Sequence, residues 1–291
     1  MLDALLTGLR AIRRRDLVLI VLGGAAAGLV LATILAAAEP FHPFSLSIGQ
    51  DSHAYWAAQF PDPYPNRVVV TQDFYPYSPA FLQALAPIRW LPWPAFAAAW
   101  AGVLLLALLV LVGPRLFIFG FIVALPDIVG GNIHLLLALT VVAGLRWSGA
   151  WAFPLLTKIT PGIGLIWFPL RREWRALAIA LGFTGAIVAV SFVLQPAAWV
   201  DYVAMLVANL GVTADQLGSG ARMGSIGLPF AVRLPVAIVL IVFGARTDRG
   251  WLMPVAAMLA QPVLWFGGLA MLLGIVPFVR GASWVERGRL P

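Results

Sequence analysis

The sequence lacks cysteine and has few charged residues. The absence of cysteine excludes disulfides, iron–sulfur clusters and thiol catalysis. Three histidines argue against a metal site built from several of them. Charged residues make up 11% of the 291 residues, whereas soluble domains average about a quarter. With 62% hydrophobic residues, this composition excludes a soluble globular protein, a disordered chain and a coiled coil, and predicts a multi-pass helical membrane protein.

Lysine is nearly absent as well. Of the 19 basic residues, Lys158 is the single lysine and the other 18 are arginines. The net charge of +7 is attributed to arginines that anchor membrane segments on one side, and no nucleic-acid partner is expected. Lys158 stands inside an apolar stretch, where a charge is costly and marks a candidate functional site. Two interpretations stay open: Lys158 binds a phosphate, or it pairs with Asp127 or reaches the headgroups.

The first long apolar run, Leu17–Ala38, is long enough to cross a bilayer alone. Arg13–Arg15 precede it and place the N-terminus in the cytoplasm, although a cleaved signal peptide is the rival interpretation. The polar residues 39–94 are predicted to form the first extracytoplasmic loop. Within it, Asp51–Phe60 and the segment capped by Ser78-Pro79 are predicted to be short helices resting on the outer leaflet.

The rest of the chain alternates long spans with pairs of short apolar runs. The long spans are Ala95–Val112, Ala176–Leu194 and Leu228–Ala245. The short pairs are split at Gly130-Gly131-Asn132, at Lys158-Ile159-Thr160-Pro161 and at Gln261-Pro262. When each pair is interpreted as a hairpin, 14 of the 18 arginines and the C-terminus fall in the cytoplasm.

The predicted fold is therefore all-α, a polytopic transmembrane helical bundle of about eight to ten membrane segments. Residues 1–291 are predicted to form a single integral membrane domain, with residues 195–227 as the second extracytoplasmic loop. All three breaks fall on the outer side. Because segments too short to span alone need protein or a wet cavity beside them, we expect a cavity that opens outward.

Motifs for soluble substrates are missing. The sequence has no dinucleotide-binding glycine fingerprint, no P-loop and no Asp-x-Asp pair to hold a metal–nucleotide complex. It also lacks HExxH, GxSxG and any close set of histidine and acidic residues with metal-ligand spacing. We therefore expect no metal site and no cofactor, and no direct use of ATP or a nucleotide sugar.

Asp51 is the candidate general base. It follows the first span near the headgroup region, where partial desolvation would raise the pKa of its carboxyl group toward a useful value. A helix N-cap is the alternative role, and the two are compatible. Asn132 and His134 can reach the same cavity, and Arg222 in the second outer loop can clamp a phosphate. A structural histidine and a solvated loop arginine are the alternatives there.

The order of the motifs is informative. Asp51 and Tyr55 are followed by Phe74-Tyr75-Pro76-Tyr77-Ser78-Pro79. Gly131-Asn132-Ile133-His134, Leu156-Thr157-Lys158-Ile159-Thr160-Pro161 and Gln261-Pro262-Val263-Leu264-Trp265 come next. This series resembles glycosyltransferase family 87, a family of multi-pass C-type membrane glycosyltransferases that includes mannosyltransferases of glycolipid synthesis.

The resemblance implies an inverting transferase that moves mannose or arabinose from a polyprenyl-phosphate donor to an extracytoplasmic glycan or glycolipid acceptor. It places the catalytic base on Asp51, and Lys158 and Arg222 would bind the phosphate. The expected substrate-binding residues are His53, Tyr55, Tyr77, Asn132 and His134. The expected location is the bacterial plasma membrane, with both termini cytoplasmic and the active site outside.

Two other classes of function stay open at this point. A membrane transporter or lipid flippase also uses broken helices with a buried charge, although no two related halves are evident. A non-catalytic membrane subunit would fit the short chain. Sugar transfer by the purified chain would separate the first interpretation from both.

Overall fold

The computed structural model describes residues 49–65, 73–211 and 225–285. The predicted first span, Leu17–Ala38, and the phosphate-binding candidate Arg222 lie outside the described residues. Over the described ranges the fold is all-α, as predicted, with twelve α-helices and no strand. In chain order they are α1 (Gln50–Ala57), α2 (Pro79–Arg89), α3 (Trp93–Val112), α4 (Phe117–Gly130), α5 (His134–Gly144), α6 (Ala152–Thr157), α7 (Trp167–Leu170), α8 (Trp174–Leu194), α9 (Pro196–Ala208), α10 (Phe230–Thr247), α11 (Leu252–Leu259) and α12 (Val276–Val279).

Three of these helices, α3, α8 and α10, are long and apolar enough to cross a membrane. Each coincides with a predicted long span to within two residues at either end. The helices α4 and α5 add a fourth crossing if they are counted as one broken span. The chain is therefore a polytopic α-helical membrane protein. The full number of about eight to ten segments stays a prediction, because the other apolar helices are shorter.

The first predicted break bends the chain sharply. The chain bends by 118° between α4 and α5. Gly131 ends α4 with a φ of 70°, a left-handed conformation that suits glycine. The carboxylate of Asp127, near the end of α4, accepts the backbone N–H of Leu135 in the first turn of α5 at 3.0 Å. The two apolar runs are thus separate helices and not one straight span.

The other two predicted breaks also end helices. Lys158 is the C-cap of α6, and the 3₁₀ segment Thr160–Ile166 continues the chain. Gln261-Pro262 follows the end of α11 and precedes a second 3₁₀ segment, Phe266–Ile275. All three breaks therefore place polar residues at points where regular α-helix stops.

The described part of residues 39–94, the predicted first outer loop, contains the two short helices that the sequence predicted. Ser78 is the N-cap of α2, and its Oγ accepts the N–H of Phe81 at 3.4 Å. The prediction that Asp51 caps its helix is wrong. Gly49 is the N-cap in a left-handed conformation with φ 74°, which lets α1 begin at Gln50 and leaves Asp51 within the first turn.

All five tyrosines of the chain pack in one line. Neighbouring ring centroids along it lie 5.2 to 5.9 Å apart. The rings follow one another in the order Tyr55, Tyr77, Tyr75, Tyr64 and Tyr202. Tyr202 belongs to α9, a helix that occupies part of the predicted second outer loop. The line of rings joins α9 to the predicted first outer loop.

Candidate active site

The helix α1 carries Asp51 and docks on the turn between α4 and α5. The N–H of Gly49, at the start of α1, donates to the carbonyl of Val129 at 2.7 Å. On the other side of the turn, Nε1 of Trp100 in α3 donates to the carbonyl of Gly131 at 2.7 Å. The first hydrogen bond fixes the start of α1 on the break, and the second fixes the break on α3.

Gly131 makes this close approach possible. A Cβ added at Gly131 would lie 2.3 Å from Oγ and 2.6 Å from Cβ of Ser52, so no other residue type fits without displacement of α1. A Cβ on Gly130 would lie 3.5 Å from Oδ2 of Asp51. The carboxylate of Asp51 therefore rests directly on the first break.

Asn132 and Lys158 act on the carboxyl group of Asp51. The side-chain oxygen of Asn132 accepts the N–H of Ile133 at 2.7 Å, which leaves its amino group for a hydrogen bond to Asp51. Asp51 is half-buried. Burial raises the pKa of Asp51, because desolvation of the carboxylate outweighs its stabilisation by Lys158 and Asn132. A carboxylate of raised pKa is suited to general-base catalysis near neutral pH.

Lys158 belongs to a chain of polar contacts that leads into the core. Its Nζ lies 2.9 Å from Nε2 of His134. Nδ1 of the same ring lies 2.7 Å from Oδ1 of Asp127. The lysine is thus connected to Asp127 through His134. Burial lowers the pKa of Lys158 to about 8, against the opposing attraction of Asp51 and Asp127.

These residues form an outer and an inner layer. Asp51 and Lys158 are both half-buried, so part of each side chain stays accessible. His134 and Asp127 have 0% and 1% of their surface exposed. A substrate that enters the site therefore meets Asp51 and Lys158, whereas His134 and Asp127 lie behind them.

The third break completes the inner layer. Oε1 of Gln261 lies 3.0 Å from Nε2 of His134, and the amide nitrogen of Gln261 donates to Sδ of Met271 at 2.8 Å. The buried guanidinium of Arg233 in α10 donates to four backbone carbonyls, three of which flank this break. They belong to Leu228, Leu259, Gln261 and Pro262. Arg233 thereby fixes the segment that carries Gln261.

The expected substrate-binding residue His53 faces away from Asp51. Two residues apart on a helix are separated by about 200° around the axis, so the two side chains project from opposite faces of α1. Nδ1 of His53 lies 2.6 Å from Oδ1 of Asp73 in the same loop. The ring also packs beside Trp56 and Trp93.

Tyr55 and Tyr77, also expected to bind substrate, are fully buried. Their hydroxyl groups lie 3.1 Å apart, and the rings have 0% and 2% of their surface exposed. Burial raises the pKa of both phenols well above its usual range, and the negative charge of Asp51 raises it further. The two phenols therefore lie within electrostatic range of Asp51 but offer almost no surface to a substrate.

Sequence reasoning did not assign Gln261 or Arg233 to the site, and it considered Asp127 only as a direct partner of Lys158. The available signal was a lone polar residue inside an apolar run, which is costly unless it is paired. Within the residues that the structure describes, no group of three or more histidine, cysteine or acidic side chains is arranged to hold a metal ion.

Comparison with known proteins agrees with the order of the motifs. A family model described as Glycosyltransferase family 87 matches residues 75–282, which is more than two-thirds of the chain. The matched range contains Asp127, His134, Lys158 and Gln261 and begins after Asp51. No curated protein and no solved structure matches the chain. From the membrane helices and this match, the chain belongs to glycosyltransferase family 87 and is a membrane glycosyltransferase.

Proposed function

We propose that the protein transfers a sugar, mannose or arabinose, from a polyprenyl-phosphate donor to a glycan or glycolipid acceptor outside the cytoplasm, with inversion at the anomeric carbon. The observation that carries the proposal is that a half-buried carboxylate, Asp51, and a half-buried ammonium, Lys158, lie within electrostatic range of each other at the first two breaks. The carboxylate can accept the proton of an acceptor hydroxyl, and the ammonium can bind a leaving phosphate.

Asp51 is the general base of the proposed reaction. It removes the proton of the acceptor hydroxyl as the oxygen attacks the anomeric carbon. Its raised pKa makes it a better proton acceptor than an ordinary aspartate, while Asn132 and Lys158 keep its ionised form accessible. Its position on α1, held by the Gly49 and Gly131 contacts, fixes the direction from which the acceptor approaches.

Lys158 stabilises the leaving group. As the bond between the anomeric carbon and the phosphate oxygen breaks, the polyprenyl phosphate keeps the electron pair and gains one negative charge. An ammonium in a site largely shielded from water stabilises this developing charge more strongly than it would in water. Arg222, which lies outside the described residues, is the second phosphate-binding residue of the proposal.

The proposed location is the bacterial plasma membrane, with both termini in the cytoplasm. The distribution of arginines supports this orientation, because it puts the Asp51 loop on the outer side. Nucleotide sugars are scarce there, so the activated sugar must arrive on a lipid. The exposed apolar side chains of α8 suit contact with lipid chains.

The test is transfer by the purified chain. We would supply polyprenyl-phosphate mannose or arabinose with a glycolipid acceptor and compare the wild type with Asp51→Asn. Loss of the base is expected to lower the rate by about 100- to 10,000-fold. Asp62→Asn is the matched control: Asp62 is an exposed acid of the same loop whose Oδ1 accepts the N–H of Tyr64, and an asparagine oxygen can do the same.

Each alternative outcome has a clear meaning. Equal turnover in the wild type and Asp51→Asn would remove Asp51 from the mechanism. A folded wild type that uses neither donor would refute the proposed donor class. Uptake of substrate into proteoliposomes without any covalent product would favour a transporter.

A further inference from the structure

The buried pair Asp127 and His134 has no role in the mechanism described above. Both side chains are shielded from substrate, with 1% and 0% of their surface exposed. Burying a carboxylate and an imidazole is costly unless each is hydrogen-bonded. Their contacts lead to Lys158, the cation of the proposed reaction. These contacts therefore connect the buried inner layer to Lys158 in the outer layer.

Asp127 determines which ring nitrogen of His134 carries a proton. Its Oδ2 accepts the N–H of Leu135 and its Oδ1 lies 2.7 Å from Nδ1 of the ring. Because an ionised carboxylate only accepts hydrogen bonds, Nδ1 must carry the proton. In a neutral imidazole the opposite nitrogen, Nε2, then has a free lone pair. Nε2 lies 2.9 Å from Nζ of Lys158, so this lone pair can accept a hydrogen bond from the ammonium.

We propose that Asp127 and His134 are positioning residues for Lys158. Asp127 holds the imidazole proton on Nδ1, so that Nε2 accepts a hydrogen bond from the Lys158 ammonium and keeps that ammonium cationic and directed at the phosphate. The inference rests on the proposed function for its purpose, because it explains how the phosphate-binding charge is maintained away from bulk water.

Three ionisable groups act on Lys158 from three elements: Asp51 from α1, Asp127 from α4 and His134 from α5. Desolvation disfavours the ammonium, and the two carboxylates favour it. A neutral His134 adds a hydrogen-bond acceptor on the favourable side. A cationic His134 would have the opposite effect, because two positive charges would then lie 2.9 Å apart.

Gln261 is the group that could favour the cationic form. Its Oε1 lies 3.0 Å from Nε2 of His134, and an imidazolium would donate to that oxygen while Lys158 became a neutral amine. A half turn of the Gln261 amide would instead present its amino group to the Nε2 lone pair, where it would compete with Lys158, and would turn Oε1 toward Sδ of Met271. The two protonation patterns predict opposite responses of Lys158 when His134 is replaced, and this difference makes the inference testable.

The first measurement uses the wild-type protein. Since Lys158 is the single lysine and the chain has three histidines, selective ¹⁵N labelling gives one lysine Nζ signal and three imidazole pairs. We expect the His134 ring to show a protonated Nδ1 and an unprotonated Nε2 at neutral pH, with Lys158 as an ammonium. A protonated Nε2 beside a neutral Lys158 would overturn the inference.

The second measurement compares two substitutions at one position. His134→Asn keeps a donor near the place of Nδ1 but has no atom near Nε2, whereas His134→Gln can place an oxygen near Nε2. We expect the titration midpoint of Lys158 to fall by about one pH unit in His134→Asn, a tenfold change in the ratio of ammonium to amine. In His134→Gln it should stay close to the wild-type value. An unchanged or raised midpoint in His134→Asn would refute the hydrogen bond.

These results are independent of sugar transfer. A wild type that transfers no sugar would remove the proposed function, yet the state of His134 would still be read from the spectrum. A wild type that transfers sugar with Nε2 protonated would keep the proposed function and remove the positioning role. Asp127→Asn provides a second test. The titration midpoint of Lys158 should fall in this variant, because a negative charge is lost.

Discussion

Replacing Gly131 by alanine should disable the site by moving the helix that carries its base. Gly131 has a φ of 70°, where an L-residue is disfavoured by about 1–2 kcal/mol. The new methyl group would lie 2.6 Å from Cβ of Ser52, whereas ordinary contact begins at 3.4 Å, so α1 must move away by 0.8 Å at this point. Asp51, one residue earlier, must move with it.

A displacement of about 1 Å in a reacting group costs about 100-fold in rate. We therefore expect Gly131→Ala to lower sugar transfer by about 100-fold while the protein keeps its helical content. The assay is initial-rate transfer from polyprenyl-phosphate mannose or arabinose, with thermal unfolding in the same detergent as the measure of folding.

The matching rescue is Ser52→Gly, which removes both clashing atoms and leaves the backbone N of residue 52 at 3.2 Å as the nearest contact. The double variant should recover most of the lost rate, so the two substitutions should be strongly non-additive. Gly185→Ala is the control, because a Cβ there meets nothing within 4 Å. Full activity of Gly131→Ala, or an equal loss in the double variant, would refute the reasoning.

Two further predictions concern charge. The transfer rate should follow a bell-shaped pH profile, because activity needs ionised Asp51 and cationic Lys158. The acid limb should lie above that of an ordinary aspartate, and the rate should fall as pH rises through about 8. Lys158→Arg should move the alkaline limb upward; an unmoved limb would exclude Lys158 as its cause. Arg233→Ala should lower the free energy of unfolding, measured by thermal denaturation, by about 3–5 kcal/mol, because it leaves four carbonyls without their donor. Unchanged stability would contradict that role.

The sequence predicted those parts of the fold that depend on local signals. Ser78 and Pro79 form the predicted helix start because a cap and a first-turn proline act within four residues. The long spans were recognised because an apolar stretch of about 20 residues has few alternatives. The start of α1 was missed because Gly49 adopts a left-handed conformation, which composition does not specify.

The site was only partly predictable, because it joins residues from distant parts of the chain. Asp51 and Lys158 were singled out as charges in unusual places, but nothing in their spacing showed that they act on each other. Gln261 was noticed only as part of a break, since a glutamine in an apolar run carries no charge to mark it. Its contact with His134 spans 127 positions and depends on the tertiary fold.

The line of tyrosine rings gives the protein a built-in optical reporter. Tyrosine occurs nowhere outside that line, which begins on the helix of Asp51 and ends on α9. Ultraviolet resonance Raman bands of tyrosine would therefore come from this one region and from no other part of the molecule. A change in those bands on addition of donor or acceptor would locate the response to that substrate without any introduced probe.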